Sequence, residues 1–191
     1  MGADIHVTIE MRNKETGEWE ALHLYKKNDD GEFQPCLVYN GRNSELFGLL
    51  ANAGNIFIYP PVNNGSLVPL RGLPDDLSPY TKERYGDGQY YYNETWYDYC
   101  ELESYAELLG DMNKHIKKRD KRIHELEEEV RNLKDEEEGE YDWYLELYDE
   151  DENNAIDYLQ GFVGCISRVL DAYWIWNPSP GQVRVIMWFD N

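Results

Sequence analysis

The first ten residues hold the densest set of groups that can do chemistry. Asp4, His6, Thr8 and Glu10 alternate with Ile5, Val7 and Ile9. Successive side chains of a β-strand point to opposite faces. The alternation predicts a strand whose apolar face meets a core and whose polar face carries two carboxylates and an imidazole in one row. Side chains two apart on one face lie roughly 7 Å apart, so Asp4 and His6 can converge on one ion. Oxygen and nitrogen donors of this kind suit zinc first, with manganese or iron as alternatives. The competing reading is a half-buried strand with a solvated polar face.

Other elements must bring further ligands to this row. Residues Val183 to Phe189 form a strongly β-prone run. Paired antiparallel with the first strand, it fixes both chain ends and brings Asp190 to the Asp4–His6 row; a merely exposed terminal aspartate is the alternative. Residues 55 to 95 read as irregular and hold five of the eight prolines. Long loops of this kind tend to be functional. Folded back over the first strand, Asp76 becomes a further ligand or an acceptor behind His6, although Asp75 and Asp76 also suit turns beside Pro74. The candidate metal ligands are thus Asp4, His6, Glu10, Asp76 and Asp190. Gly17 marks a hairpin turn after the first strand, with a return strand from Trp19 to Tyr25. Asn43 or Ser44 caps a short helix through Leu46, Phe47, Leu49 and Leu50, and Gly54 ends it.

The opening Met-Gly-x-Asp-Ile-His-x-x-x-Glu resembles the start of an uncharacterised family of phage and prophage proteins. More blocks recur in the family's order: Arg42 to Phe47 with Leu50-Ala51, Arg71 to Pro74 with Asp76 and Ser78, Trp96 with Glu101-Leu102, and Val183 to Val185 running into Trp188 to Asn191. One block departs. The family often has Asp-x-His-Ser ahead of the equivalent of Trp96, whereas Tyr90-Tyr91-Tyr92-Asn93 stands here. A site using that histidine is altered in this chain.

Eighteen basic and 38 acidic residues among 191 give a net charge of −20. That field disfavours direct binding to nucleic acid or anionic membrane and favours a basic partner surface. Sixteen Tyr, six Trp and five Phe argue against simple disorder. Cys36, Cys100 and Cys165 are scattered and odd in number, so neither a thiolate zinc motif nor a disulfide framework is indicated, and a reducing cytoplasm fits. No apolar run approaches the about 20 residues of a membrane span, and no signal peptide is evident.

From Ser104 the pattern turns helical. Leu109, Met112, Ile116, Ile123, Leu126, Val130 and Leu133 make a heptad seam, and Ile156, Leu159, Val163, Ile166, Leu170 and Tyr173 make a second. Two seams in one chain predict an antiparallel helical hairpin; an intermolecular coiled coil is the alternative. Residues 125 to 152 carry fifteen carboxylates against Arg131 and Lys134, a net of −13. Such a run can be a solvated linker, but Tyr141, Trp143, Tyr144 and Tyr148 are interleaved with it. Acid mixed with aromatics suits a binder of a basic, nucleic-acid-reading groove. The candidate partner-binding residues are Glu127, Glu128, Glu129, Glu136, Glu137, Glu138, Tyr141 and Trp143.

In size, acidity and aromatic content the chain also resembles a type II anti-CRISPR protein that carries a structural metal. The resemblance implies an inhibitor of the host's RNA-guided nuclease, acting as a monomer or homodimer in the cytoplasm of an infected bacterium. That nuclease holds its heteroduplex in a positively charged channel. The competing function is a metal-dependent phosphoesterase or nucleotide hydrolase, in which the ion activates water. No phosphate-binding glycine loop or H-E-x-x-H motif supports it, and the negative field opposes anionic substrates. The expected fold is α+β. Residues 1–103 with 174–191 form a core around a small antiparallel sheet that pairs the N- and C-terminal strands. Residues 104–173 form the hairpin with its acidic tip.

Overall fold

The computed structural model describes residues 4–39, 41–52, 68–133 and 143–190, with backbone alone at 113, 116, 120, 127–133 and 143–155. The fold is α+β. A four-stranded antiparallel sheet runs β2 (Trp19–Leu22), β1 (Asp4–Arg12), β6 (Val183–Asp190), β5 (Tyr92–Asp98). A separate two-stranded ribbon pairs β3 (Tyr25–Lys27) with β4 (Phe33–Pro35). Four helices complete the described structure: α1 (Ser44–Ala51), α2 (Pro79–Tyr85), α3 (Tyr99–Leu133) and α4 (Trp143–Ala172).

The alternation in β1 sorts its side chains as the sequence implies. Ile5, Val7 and Ile9 join Val185, Met187 and Phe189 of β6 in the main core. The helices that cover this face are short on polar groups there. Leu46 to Ala51 of α1 are all buried, and Leu159, Phe162, Ile166 and Leu170 of α4 are buried with them. Asn43 caps α1 by accepting the Leu46 N–H at 2.7 Å. Its C-terminal cap is Asn52 at φ 51°, so the helix ends two residues before the expected Gly54.

The other sheet face is covered too, which the polar row of β1 did not announce. Ser78 caps α2 and Pro79 occupies its first turn, a pairing that suits a helix start. This lays Ser78 and Thr81 over β1, where Thr81 Oγ1 donates to Thr8 Oγ1 at 3.3 Å. Thr8 and Glu10 are therefore buried. Leu77, Ile186 and Trp188 form a small second core on this side. α2 and the first half of β5 lie inside the stretch read as irregular. β5 is broken by a register shift between Tyr92 and Thr95, with Asn93 at φ 54°.

The seams behave unequally. That of α4 is buried from Leu159 to Leu170 against the sheet, α1 and the first turns of α3. α3 starts at Tyr99, inside the segment read as core, and α4 packs antiparallel on it, with Tyr99 Oη 2.9 Å from Ser167 Oγ and Gly110 against Gln160. Beyond Gly110, the α3 side chains Met112, Ile123 and Leu126 are exposed. The seam-on-seam packing expected beyond Gly110 would involve residues 143–155, whose side chains lie outside the described residues.

α4 ends in a Schellman cap. The Trp174 N–H donates to Asp171 O and the Ile175 N–H to Leu170 O, both at 3.0 Å. Trp174 takes the left-handed position at φ 59°. Glycine is usual there, and any side chain costs about 1–2 kcal/mol.

Candidate functional site

Antiparallel pairing sets Asp4 opposite Asp190, His6 opposite Trp188, and Glu10 opposite Arg184. Opposed residues share a sheet face, so the polar row of β1 meets a polar row of β6, and the two ends of the pair are built differently.

At the chain-end side, His6 Nε2 lies 3.0 Å from Asp190 Oδ2, and the two side chains are 26% and 31% exposed. The imidazole stacks on Trp188 with ring centroids 5.6 Å apart and planes 10° apart, and Tyr91 tilts against it at 5.3 Å. Two buried atoms here find no partner among the described residues: Trp188 Nε1 and Asp190 Oδ1. Leaving such a group unpaired costs about 1–3 kcal/mol, so among the described residues the corner has hydrogen-bonding and ligating capacity left over. Asp4, the next carboxylate in the row, is gripped by the Arg42 fork through Nε and Nη2. That hydrogen bond holds the Asp4 carboxyl below its ordinary range.

The donor chemistry of this corner, one imidazole and two carboxylates, is that of a zinc-type site. His6 and Asp190 touch, and Asp4 joins them only if Arg42 swings aside. No group of three or more metal-ligating side chains stands ready among the described residues. Arg42 is 66% exposed, and an exposed ion pair is weakly held, so its fork is displaceable.

Glu10 and Asp76 are elsewhere. Glu10 lies four residues from His6 along β1, about 13 Å by strand rise, too far to share an ion. Arg184 takes both instead. Its Nε and Nη2 donate to Glu10 Oε2 at 2.9 and 2.7 Å, its Nη1 to Asp76 Oδ1 at 2.6 Å, and its Nη2 also to Asp76 O at 2.9 Å. The Ser78 N–H occupies Glu10 Oε1 at 2.9 Å, and Trp19 Nε1 donates to Asp76 Oδ2 at 2.9 Å. The guanidinium lies over the Trp19 ring, 3.9 Å from its centroid. The loop does fold back over β1 through Asp76, but it closes on an arginine. This pairing lowers the Asp76 pKa below its ordinary value, with the Arg184 bond the larger cause and the Trp19 bond behind it.

The sequence offered signals for both missed arginines. Setting Asp190 opposite Asp4 and counting six residues inward on each strand puts Arg184 opposite Glu10. Arg42 stands in one of the blocks quoted for the phage resemblance, beside the cap residue Asn43.

Of the candidate partner-binding residues, Glu127, Glu128 and Glu129 lie on α3 and Trp143 begins α4, with backbone alone described. Glu136, Glu137, Glu138 and Tyr141 lie outside the described residues. Among the described residues, no helix is long and apolar enough to cross a membrane. Compared with known proteins, the chain matches no family model, no curated protein and no solved structure.

Proposed function

We propose that this chain is an acidic, phage-derived binding protein that inhibits a type II CRISPR RNA-guided nuclease by occupying a basic nucleic-acid-binding surface. The observation that carries the reading is charge segregation: residues 125 to 152 hold a net −13 of the chain's −20. α3 and α4 lead into that segment from the sheet. In this reading they continue as a long antiparallel hairpin whose acidic and aromatic tip enters the nuclease's positive channel. Charge complementarity of this kind raises association rate and specificity more than raw affinity. Met112, Ile123 and Leu126, exposed on α3, add apolar contact along the arm. A zinc ion at His6, Asp190 and Asp4 braces the joined chain ends and does no catalysis. The protein acts in the cytoplasm of the infected host.

A pull-down of the purified nuclease with this chain tests the proposal. Binding is expected to weaken steeply with salt and to be lost when Glu127, Glu128 and Glu129 are all changed to Lys. Salt-insensitive capture, or capture unchanged by the charge reversal, would reduce the tip to a solubilising segment. Turnover of a phosphodiester that vanishes in His6→Ala would instead favour a metal-dependent hydrolase.

A further inference from the structure

The fold holds two of its own arginines in the same way. Arg184 lies over the Trp19 ring while bonded to Glu10 and Asp76. Arg71 lies over the Trp96 ring at 5.0 Å while Glu101 takes its fork at 2.6 and 2.7 Å. Each arginine has an indole beneath it and carboxylate in its plane, which satisfies both the cation–π attraction and the planar donor fork.

A third corner has the same ingredients and no arginine. Trp174 and Trp176 follow α4, 77% and 63% exposed, with ring centroids 5.4 Å apart at 73°. Beside them, between the first turns of α3 and the last turn of α4, is a cavity of about 200 Å³. Its walls include Tyr99, Glu103, Asp171 and Trp176, and no basic side chain lines it among the described residues; Trp174 adjoins it through its contact with Trp176. The volume is well above the roughly 30 Å³ share of one water. Glu103 Oε1 accepts from the Tyr99 hydroxyl at 2.8 Å, which orients the carboxylate and leaves Oε2 for a ligand. The loop that carries Trp176 is tied down: Cys100 Sγ donates to Pro178 O at 3.1 Å, and the Gly181 N–H to Asp98 Oδ2. Trp174 occupies a left-handed position that suits glycine better, yet buries little of its ring. Its presence is not explained by stability of the fold.

We propose that the Trp174–Trp176 corner is a binding site for an arginine side chain presented by a protein partner, with the indoles meeting the guanidinium face and Glu103 and Asp171 its N–H edge. The net charge of −20 favours a cationic occupant. The site is separate from the acidic arm and stands or falls independently of it.

The test is a titration of the full chain with a blocked Gly-Arg-Gly peptide, followed through tryptophan indole N–H resonances. Saturable binding in the millimolar range is expected, with the Trp174 and Trp176 signals moving together. The citrulline peptide should bind at least about tenfold more weakly, as should Trp176→Ala and Asp171→Asn with the arginine peptide. Trp174→Gly should weaken binding while keeping or raising the melting temperature, which separates recognition from folding. Changing Glu127, Glu128 and Glu129 to Lys should leave the peptide affinity unchanged, whatever it does to nuclease capture. Equal binding of citrulline and arginine peptides, no indole shift at saturating peptide, or shifts produced only by an oligosaccharide or by lipid vesicles would overturn the assignment.

Discussion

Arg184 and His6 sit near opposite ends of one strand pair, and their surroundings differ in completeness. Around Arg184, the two Glu10 oxygens, the two Asp76 oxygens, the Ser78 N–H and the Trp19 indole N–H all have partners. Among the described residues around His6, one Asp190 oxygen and the Trp188 indole N–H have no partner, and Asp4 is held by an exposed arginine alone. Both ends set carboxylates, a basic side chain and an indole on the same alternating strand rows. A polar row closed on itself fastens strands, whereas one with capacity left over can take a ligand. Completeness of pairing distinguishes the two more than their count of charged groups does.

The largest effect should come from breaking the closed end. Arg184→Met leaves the Glu10 carboxylate buried and uncompensated, which should cost about 3–5 kcal/mol in urea unfolding. Adding Glu10→Met should recover part of that loss, because an apolar pair replaces the stranded charge; the Ser78 N–H then still lacks its acceptor. If the single change costs less than the double one, the network is not the closure described here.

His6→Ala should cost only about 1 kcal/mol in the metal-free protein, from a partly exposed contact with Asp190 and the ring contacts with Trp188 and Tyr91. A loss as large as that from Arg184→Met would erase the contrast between the ends. Arg42→Ala should leave metal-free stability unchanged and tighten zinc binding, since it frees Asp4; calorimetric titration of the variant reads this directly.

The smallest effects are in pH dependence, and they run in opposite directions. The Asp76 pKa is depressed by its Arg184 bond. Its contribution is whole above pH 3.8 and is lost as pH falls through the lower folded value. Tyr85, against Trp188 at the other end, is pushed up to about 12 by burial and by its bond to Glu94. Its contribution is whole below pH 10 and is lost as pH rises toward about 12. Melting curves of Asp76→Asn should therefore converge with the parent only in acid, and those of Tyr85→Phe only in alkali.

Much of the sheet was legible because burial acts on simple alternation. Ile5, Val7 and Ile9 marked β1, the Val183–Phe189 run marked β6, and pairing the two was the expectation for two β-prone runs whose backbone groups need partners. β5 was hidden by its own irregularity: consecutive tyrosines and the turn at Asn93 interrupt the period of two. α2 was hidden by its length, seven residues, although Ser78-Pro79 carried a helix-start signal. The candidate site was half legible. Proximity of His6 and Asp190 followed from strand pairing. The fate of Glu10 and Asp76 depended on an arginine from the far end of the chain, and carboxylate spacing alone does not show which cation a carboxylate will meet.

Zinc titration of the purified full chain, read by calorimetry and by melting temperature, tests the contrast most directly. A single zinc ion per chain should bind and raise the melting temperature; binding should vanish in His6→Ala and Asp190→Asn and persist in Asp76→Asn. A protein that takes up no zinc, or that keeps it in His6→Ala and loses it in Asp76→Asn, would contradict the assignment of the His6 end as the open one.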